Sequence, residues 1–214
     1  MRIPVSVEEF TPEWLTDALT RGGSLIEGRV SRVATSTVGE GVGLVGSLAR
    51  LALTYDGAAP GAPRSLVAKF PSATEQNREL GRLFRFYERE YRFYTGLAST
   101  VPVRAPVAYF ADLNEETGDS VLLLEDLQYA ELCDQLAPPP DTDLMIIIDR
   151  AADLHSTFWG RGDEEPVQWV PAFTDPMNEG GVATFQMSWE PFVEKFEHTL
   201  NPRMKVLGDR KSVV

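Results

Sequence analysis

The chain has 214 residues, 43% of them hydrophobic and 24% charged, with 20 Lys and Arg against 32 Asp and Glu for a formal charge of -12. That length suits one ordinary domain or two small lobes sharing a cleft. No segment is apolar over enough residues to span a membrane, and the negative field disfavours nucleic acid and anionic lipid as partners.

Cys133 is the sole cysteine, which excludes an internal disulfide, and Met1 to Phe10 lacks the basic cluster and apolar run of a secretory signal. A reducing, cytoplasmic setting is expected. His155 and His198 have no Cys, His or carboxylate neighbour at zinc-site spacing, so no metal ligand is assigned.

Thr11, Pro12 and Glu13 form a helix start: a capping hydroxyl, a proline at the first helical position and an acid near the positive end of the dipole. Trp14, Leu15 and Leu19 supply an apolar side, and Gly22 and Gly23 stop the helix. From Val30 to Leu53 β-branched and small residues on either side of the glycine-dense stretch Gly39 to Gly46 read as strand, turn, strand. A Pro/Gly-rich connection from Asp56 to Pro63 leads to a third strand, Ser65 to Phe70.

From Thr74 to about Leu97 the spacing becomes helical, with Leu80, Leu83, Phe84, Tyr87, Tyr91 and Tyr94 on one stripe, and a single helix is expected. The basic stretch Arg82 to Arg92, interleaved with Glu88 and Glu90, reads as its solvated face. Val107 to Phe110 and Val121 to Leu124 are two further strands around the turn-rich Asn114 to Asp119. The result is a five-stranded antiparallel sheet with one inserted helix. Pro138 to Pro140 separate this unit from a helix carrying Leu144, Ile147, Ile148, Ala151, Leu154 and Phe158, on whose apolar face His155 is expected to pack. A last helix is expected from Trp189 to Leu200.

Gly41, Gly43 and Gly46 spell G-x-G-x-x-G, a string used by hairpin turns, dinucleotide folds and phosphate-binding loops alike. Ser47 to Thr54 reads as strand, whereas a dinucleotide fold runs from its glycines directly into a helix. A strand-loop-strand arrangement lets backbone N–H groups close over phosphate oxygens, because glycine leaves no side chain in the way. No Gly-Lys-Ser/Thr follows, which excludes the P-loop.

Lys69 stands among apolar neighbours on the third strand, either as a phosphate-binding lysine or as an edge-strand lysine that discourages aggregation. Such a lysine needs a carboxylate to hold it. Glu90, spaced among Phe86, Phe93 and Leu97, is the assigned partner; Glu88 competes, with a surface pair to Arg92 as its plainer use.

These glycines, the Val67 to Lys69 strand, the Arg89 to Tyr94 helix segment, the Leu122 to Leu127 run and the Leu154 to Trp159 segment occur in the order seen in the aminoglycoside-phosphotransferase and choline-kinase-like families, which the chain resembles from Val30 to Trp159. The resemblance implies an α+β, protein-kinase-like N-terminal lobe over residues 1–127 and an incomplete helical C-terminal lobe over 128–208. It implies an ATP-dependent, Mg2+-requiring transfer to a small-molecule hydroxyl, with Gly41, Gly43 and Gly46 cradling the phosphates, Lys69 bound to them and Glu90 holding Lys69. The backbone of Glu125, Asp126 and Leu127 would form the hinge that binds adenine.

The family's His-Gly-Asp string with its following Asn, and its metal-binding Asp, do not occur, so the chain as given is expected to be inactive. Asp209 to Val214 matches one reading frame of a common sequencing adapter, and a non-native tail over 209–214 is expected. The alternative reading is a non-catalytic, pseudokinase-like nucleotide-binding or interaction module. An oxidoreductase of dinucleotide-binding type is a third, which requires a helix immediately after Gly46.

Overall fold

The protein is described from a computed structural model, and the structure is described for residues 1–38, 46–130, 137, 139–172, 174–176 and 179–211. By packing, the chain divides into two units, Met1–Val167 and Gln168–Val214. The first runs past the 127/128 boundary drawn from sequence and takes in the helix that follows the prolines.

The first unit is α+β. Helix α1 (Pro12–Arg21) starts as its sequence dictates, with Thr11 Oγ1 accepting from the Trp14 N–H at 3.2 Å. It ends in a Schellman turn, in which the N–H groups of Gly23 and Ser24 reach back to the carbonyls of Thr20 and Leu19. Gly22 is required there for space, because a Cβ would lie 1.8 Å from the Tyr109 carbonyl oxygen.

Five strands follow: β1 (Arg29–Thr37), β2 (Gly46–Asp56), β3 (Ser65–Pro71), β4 (Ala108–Leu113) and β5 (Ser120–Glu125). They form one antiparallel sheet in the order β1-β2-β3-β5-β4. One face is the core. Ala49, Leu51 and Leu53 of β2 and Leu66, Ala68 and Phe70 of β3 alternate onto it and meet Phe10, Leu15, Ala18 and Leu19 from α1 and the turn before it. Burying each such leucine contributes about 1.5–3 kcal/mol relative to leaving it in water.

The segment between β3 and β4 departs from the single helix expected. It is broken into α2 (Glu75–Leu83), α3 (Phe86–Arg92) and a π-helical turn over Phe93–Leu97. The break lies at Arg85, the one non-glycine residue at positive φ among the described residues (φ 52°). Tertiary anchors on either side account for it. Arg78 and Arg82 of α2 both grip the buried Asp119 before β5, at 2.7 and 3.3 Å, while Tyr87 and Leu97 sink into the other end. A straight helix would not serve both sets at once, and Leu80 and Leu83 of the expected stripe are left exposed. Arg82 is therefore a structural anchor rather than part of a solvated face.

Helix α4 (Asp141–Phe158) forms where the 3.6-residue spacing predicts. None of its residues is buried, Leu144 to Ile148 are exposed, and so is His155, contrary to the core position expected for it. Periodicity identifies an apolar face, but burial needs a second surface; Ala151, Leu154 and Phe158 are only partly covered, and Leu144 to Ile148 stay exposed.

In the second unit α5 (Glu179–Phe196) starts well before the expected Trp189 and accommodates Pro191, and α6 (Pro202–Lys211), not foreseen, follows it. Trp189 stacks between Phe185 and Phe192 and donates through Nε1 to Asp209 Oδ1 at 2.9 Å. No helix among the described residues is long and apolar enough to cross a membrane.

Candidate functional site

Alternation along β3 sends Leu66, Ala68 and Phe70 into the core and leaves Ser65, Val67 and Lys69 half-buried on the other face. Cross-strand pairing sets their neighbours. Lys69 stands opposite Leu48 of β2 and Leu122 of β5, and Val67 opposite Arg50 and Leu124. Gly46, two residues before Leu48, shares that face: a Cβ there would rest 3.5 Å from Cε of Lys69.

Helix α3 packs against β4 and β5 and delivers Glu90 to the lysine. The Lys69 ammonium donates to Glu90 Oε1 at 2.7 Å, with the side chains 35% and 26% exposed. Glu88 is occupied locally, at 2.6 Å from Arg85 and 2.9 Å from Arg92. Those two guanidiniums, Arg85 foremost, hold its carboxyl below the usual glutamate range. Of the two candidate carboxylates the structure brings Glu90, not Glu88, to Lys69. Burial, with the nearby Glu90 charge adding to it, raises the Tyr94 phenol.

An ammonium has three N–H donors, and Glu90 uses one. The lysine side chain is about one-third exposed and lies beside Gly46, an arrangement suited to an anion with several oxygens. Gly41 and Gly43 lie outside the described residues. Gly46 is the first residue of strand β2, not of a helix, which removes the dinucleotide-fold reading.

Glu125, Asp126 and Leu127 leave β5 at the far end of the same region. The Glu125 carboxylate accepts from Arg104 at 2.7 Å, from the Val107 N–H at 3.1 Å and from Tyr129 at 3.1 Å. Arg104 foremost, then Val107, hold it below the usual glutamate range. The Leu127 carbonyl accepts from Ala130 N–H at 2.8 Å, closing a turn. Asp126 turns inward, onto Arg50 Nε at 2.8 Å and Ser65 Oγ. Burial pushes its carboxyl up, but the hydrogen bonds from Ser65 and Arg50 and the Arg50 charge outweigh it, and the net shift is downward.

Sequence reasoning missed Leu48, Arg50, Ser65 and Val67 as members of this face. The signal was present: counting by two from Lys69 along β3 gives Val67 and Ser65, and counting by two from Gly46 along β2 gives Leu48 and Arg50. Among the described residues no three His, Cys, Asp or Glu groups gather to hold a metal ion. A cleft of about 390 Å³ between α1 and β1, lined by Glu13, Thr16, Asp17 and Arg29 among others, includes none of these residues. Comparison with protein-family models, with curated proteins and with solved structures gave no match.

Proposed function

We propose that residues 1–127, within the first unit, are the nucleotide-binding lobe of an ATP-dependent phosphotransferase with a protein-kinase-like fold, acting on a hydroxyl of a small molecule, of the aminoglycoside-phosphotransferase and choline-kinase-like type. The observation that carries the reading is the 2.7 Å pair between Lys69 on the third strand and Glu90 on the helix between the third and fourth strands. Kinases use that linkage to hold a lysine on the α- and β-phosphates. The antiparallel order β1-β2-β3-β5-β4 with α2 and α3 inserted after β3 agrees with it, as does a second strand that starts at Gly46.

In this reading phosphate oxygens take the remaining donors of Lys69 and the backbone N–H groups around Gly41, Gly43 and Gly46. Leu48 and Val67, on the same sheet face as Lys69, offer the apolar surface on which a purine rests, and the backbone of Glu125 to Leu127 supplies its edge. Mg2+ would enter with the nucleotide. Neither a His-Gly-Asp string nor a magnesium aspartate of the family type occurs in the sequence, so no metal-dependent step is assigned to this chain.

The second reading is a nucleotide-binding module without catalysis. Titrating ATP and ADP into the chain and into Lys69→Ala tests the common part of both readings: Lys69→Ala is expected to lose binding, and equal affinity would remove Lys69 from the site. Phosphoryl transfer to hydroxylated acceptors by the natural gene product separates the two.

A further inference from the structure

Asp126 follows β5 as part of an acidic turn, yet its side chain is only 3% exposed. A carboxylate leaves water at high cost unless partners replace the lost hydration. Oδ2 receives two, Arg50 Nε from the middle of β2 and Ser65 Oγ from the start of β3. The carboxylate is further held by the backbone N–H of Gln128, which also draws its pKa down. One carboxylate thus gathers β2, β3 and the exit of β5.

The register says what those strands carry. Arg50 lies two residues beyond Leu48 and four beyond Gly46 on one face of β2, about 13 Å along the strand from the glycine. Ser65 lies four residues before Lys69 on the same face of β3. The link from Asp126 to Arg50 therefore spans from the wall that would hold phosphate to the segment that would hold the base. Glu125 pairs with Leu66 of β3 at the end of the ladder, and the other described contacts of Glu125 and Leu127 go to Arg104, Val107, Tyr129 and Ala130; among the described contacts, the one side chain that reaches from this segment to β2 is that of Asp126.

We propose that Asp126 is a positioning residue whose charge holds β2 at a fixed distance from the Glu125 to Leu127 backbone, so that phosphate and base are met by both walls at once. The inference rests on the nucleotide-binding reading and extends it to a side chain that touches neither part of the ligand. Asp126→Asn isolates the charge: the amide oxygen can still face Arg50 and Ser65, while the attraction to the guanidinium is lost. Ser65→Ala removes one neutral hydrogen bond and leaves the ion pair in place.

The test is titration of ADP, and separately of inorganic tripolyphosphate, into wild type, Asp126→Asn, Arg50→Met, the double variant, Ser65→Ala, Lys69→Ala and the core variant Leu51→Val, each with its thermal midpoint. Tripolyphosphate needs only the phosphate wall, whereas ADP needs both. Asp126→Asn is expected to weaken ADP about tenfold while tripolyphosphate changes less than about twofold. The double variant should bind ADP no more weakly than the weaker single one, because both substitutions break one link.

A fall in ADP and tripolyphosphate affinity together, in step with thermal midpoint as for Leu51→Val, would reduce Asp126 to a stabilising contact and overturn the proposal. Loss of ADP binding by Lys69→Ala with full binding by Asp126→Asn overturns it alone. Unchanged ADP binding by Lys69→Ala overturns the nucleotide reading, and this inference with it.

Discussion

Replacing Glu90 by Gln keeps the size of the side chain and an acceptor oxygen but removes the charge that holds Lys69. The ion pair is short, 2.7 Å, and its partners are 35% and 26% exposed. At an effective dielectric near 20, two unit charges about 4 Å apart attract by about 4 kcal/mol, but water reaches both groups here. Measured pairs of that exposure contribute about 0.2–1 kcal/mol, so a double-mutant cycle with Lys69→Met on thermal or denaturant stability should give about 0.5–1 kcal/mol of coupling, smaller at high salt.

The effect on ligand should be larger. A lysine released from Glu90 must give up side-chain freedom when it binds, at about 1–2 kcal/mol, so Glu90→Gln is expected to weaken ADP by about 5- to 30-fold. Lys69→Met removes the charge-assisted hydrogen bonds themselves, about 1.5–3 kcal/mol, or about 10- to 150-fold. Because Glu90 acts through Lys69, the double variant should bind no worse than Lys69→Met. Calorimetric titration at fixed ionic strength measures all four proteins. Additive losses, or an unaffected Glu90→Gln beside a crippled Lys69→Met, would refute the idea that the carboxylate works by holding the ammonium.

Asp126 has its pKa lowered from the ordinary 3.8 in the folded chain, so its contribution to stability is complete above that value and is lost as pH falls through the lower folded value. Asp126→Asn should accordingly show a shallower acid limb in stability against pH below about pH 4, and an unchanged slope would contradict the assignment. Gly22→Ala drives a Cβ to 1.8 Å from a carbonyl oxygen and should lower stability by about 1–3 kcal/mol or more. Gly23→Ala, at φ 72° with nothing within 4 Å, meets only the left-handed backbone penalty of about 1–2 kcal/mol. Thermal midpoints that rank the two in reverse would dispute the packing of α1 on β4. Leu51→Ala, at a fully buried site, should cost about 2–5 kcal/mol in urea unfolding, and a loss under about 1 kcal/mol would deny it a place in the core.

The strands were legible because their signal is local. Ser65 to Phe70 alternates by two, and the odd residue on the wet side, Lys69, announces itself by its charge among apolar neighbours. The choice between Glu88 and Glu90 was half legible: spacing favoured Glu90, and the arginines three before and four after Glu88 gave that carboxylate a local partner. What stayed hidden depends on surfaces far apart in the chain. Nothing at Arg85 marks a left-handed residue, since no glycine, proline or asparagine stands there. The helix breaks because Asp119, more than thirty residues on, fixes Arg78 and Arg82. His155 was misplaced for the same reason, because a helical stripe says which side is apolar and not whether anything lies against it.

The two faces of one sheet divide the work, and the period of two makes that division strict. Moving β3 by one residue would put Lys69 into the packing against α1 and bring Ala68 to Glu90, ending the core and the ion pair together. Leu51 and Leu66, packed against Leu15 and Leu19, therefore set which residues face the other way as firmly as any contact on that side does. Glu90 and Asp126 then add what the core leaves undetermined: the first fixes a flexible ammonium in direction, and the second fixes the strand beside it in place. A site assembled this way requires little from the helix that supplies Glu90 beyond one carboxylate at the right height. That accounts for a segment that is kinked at Arg85 and partly exposed, yet still delivers its one charge to the sheet.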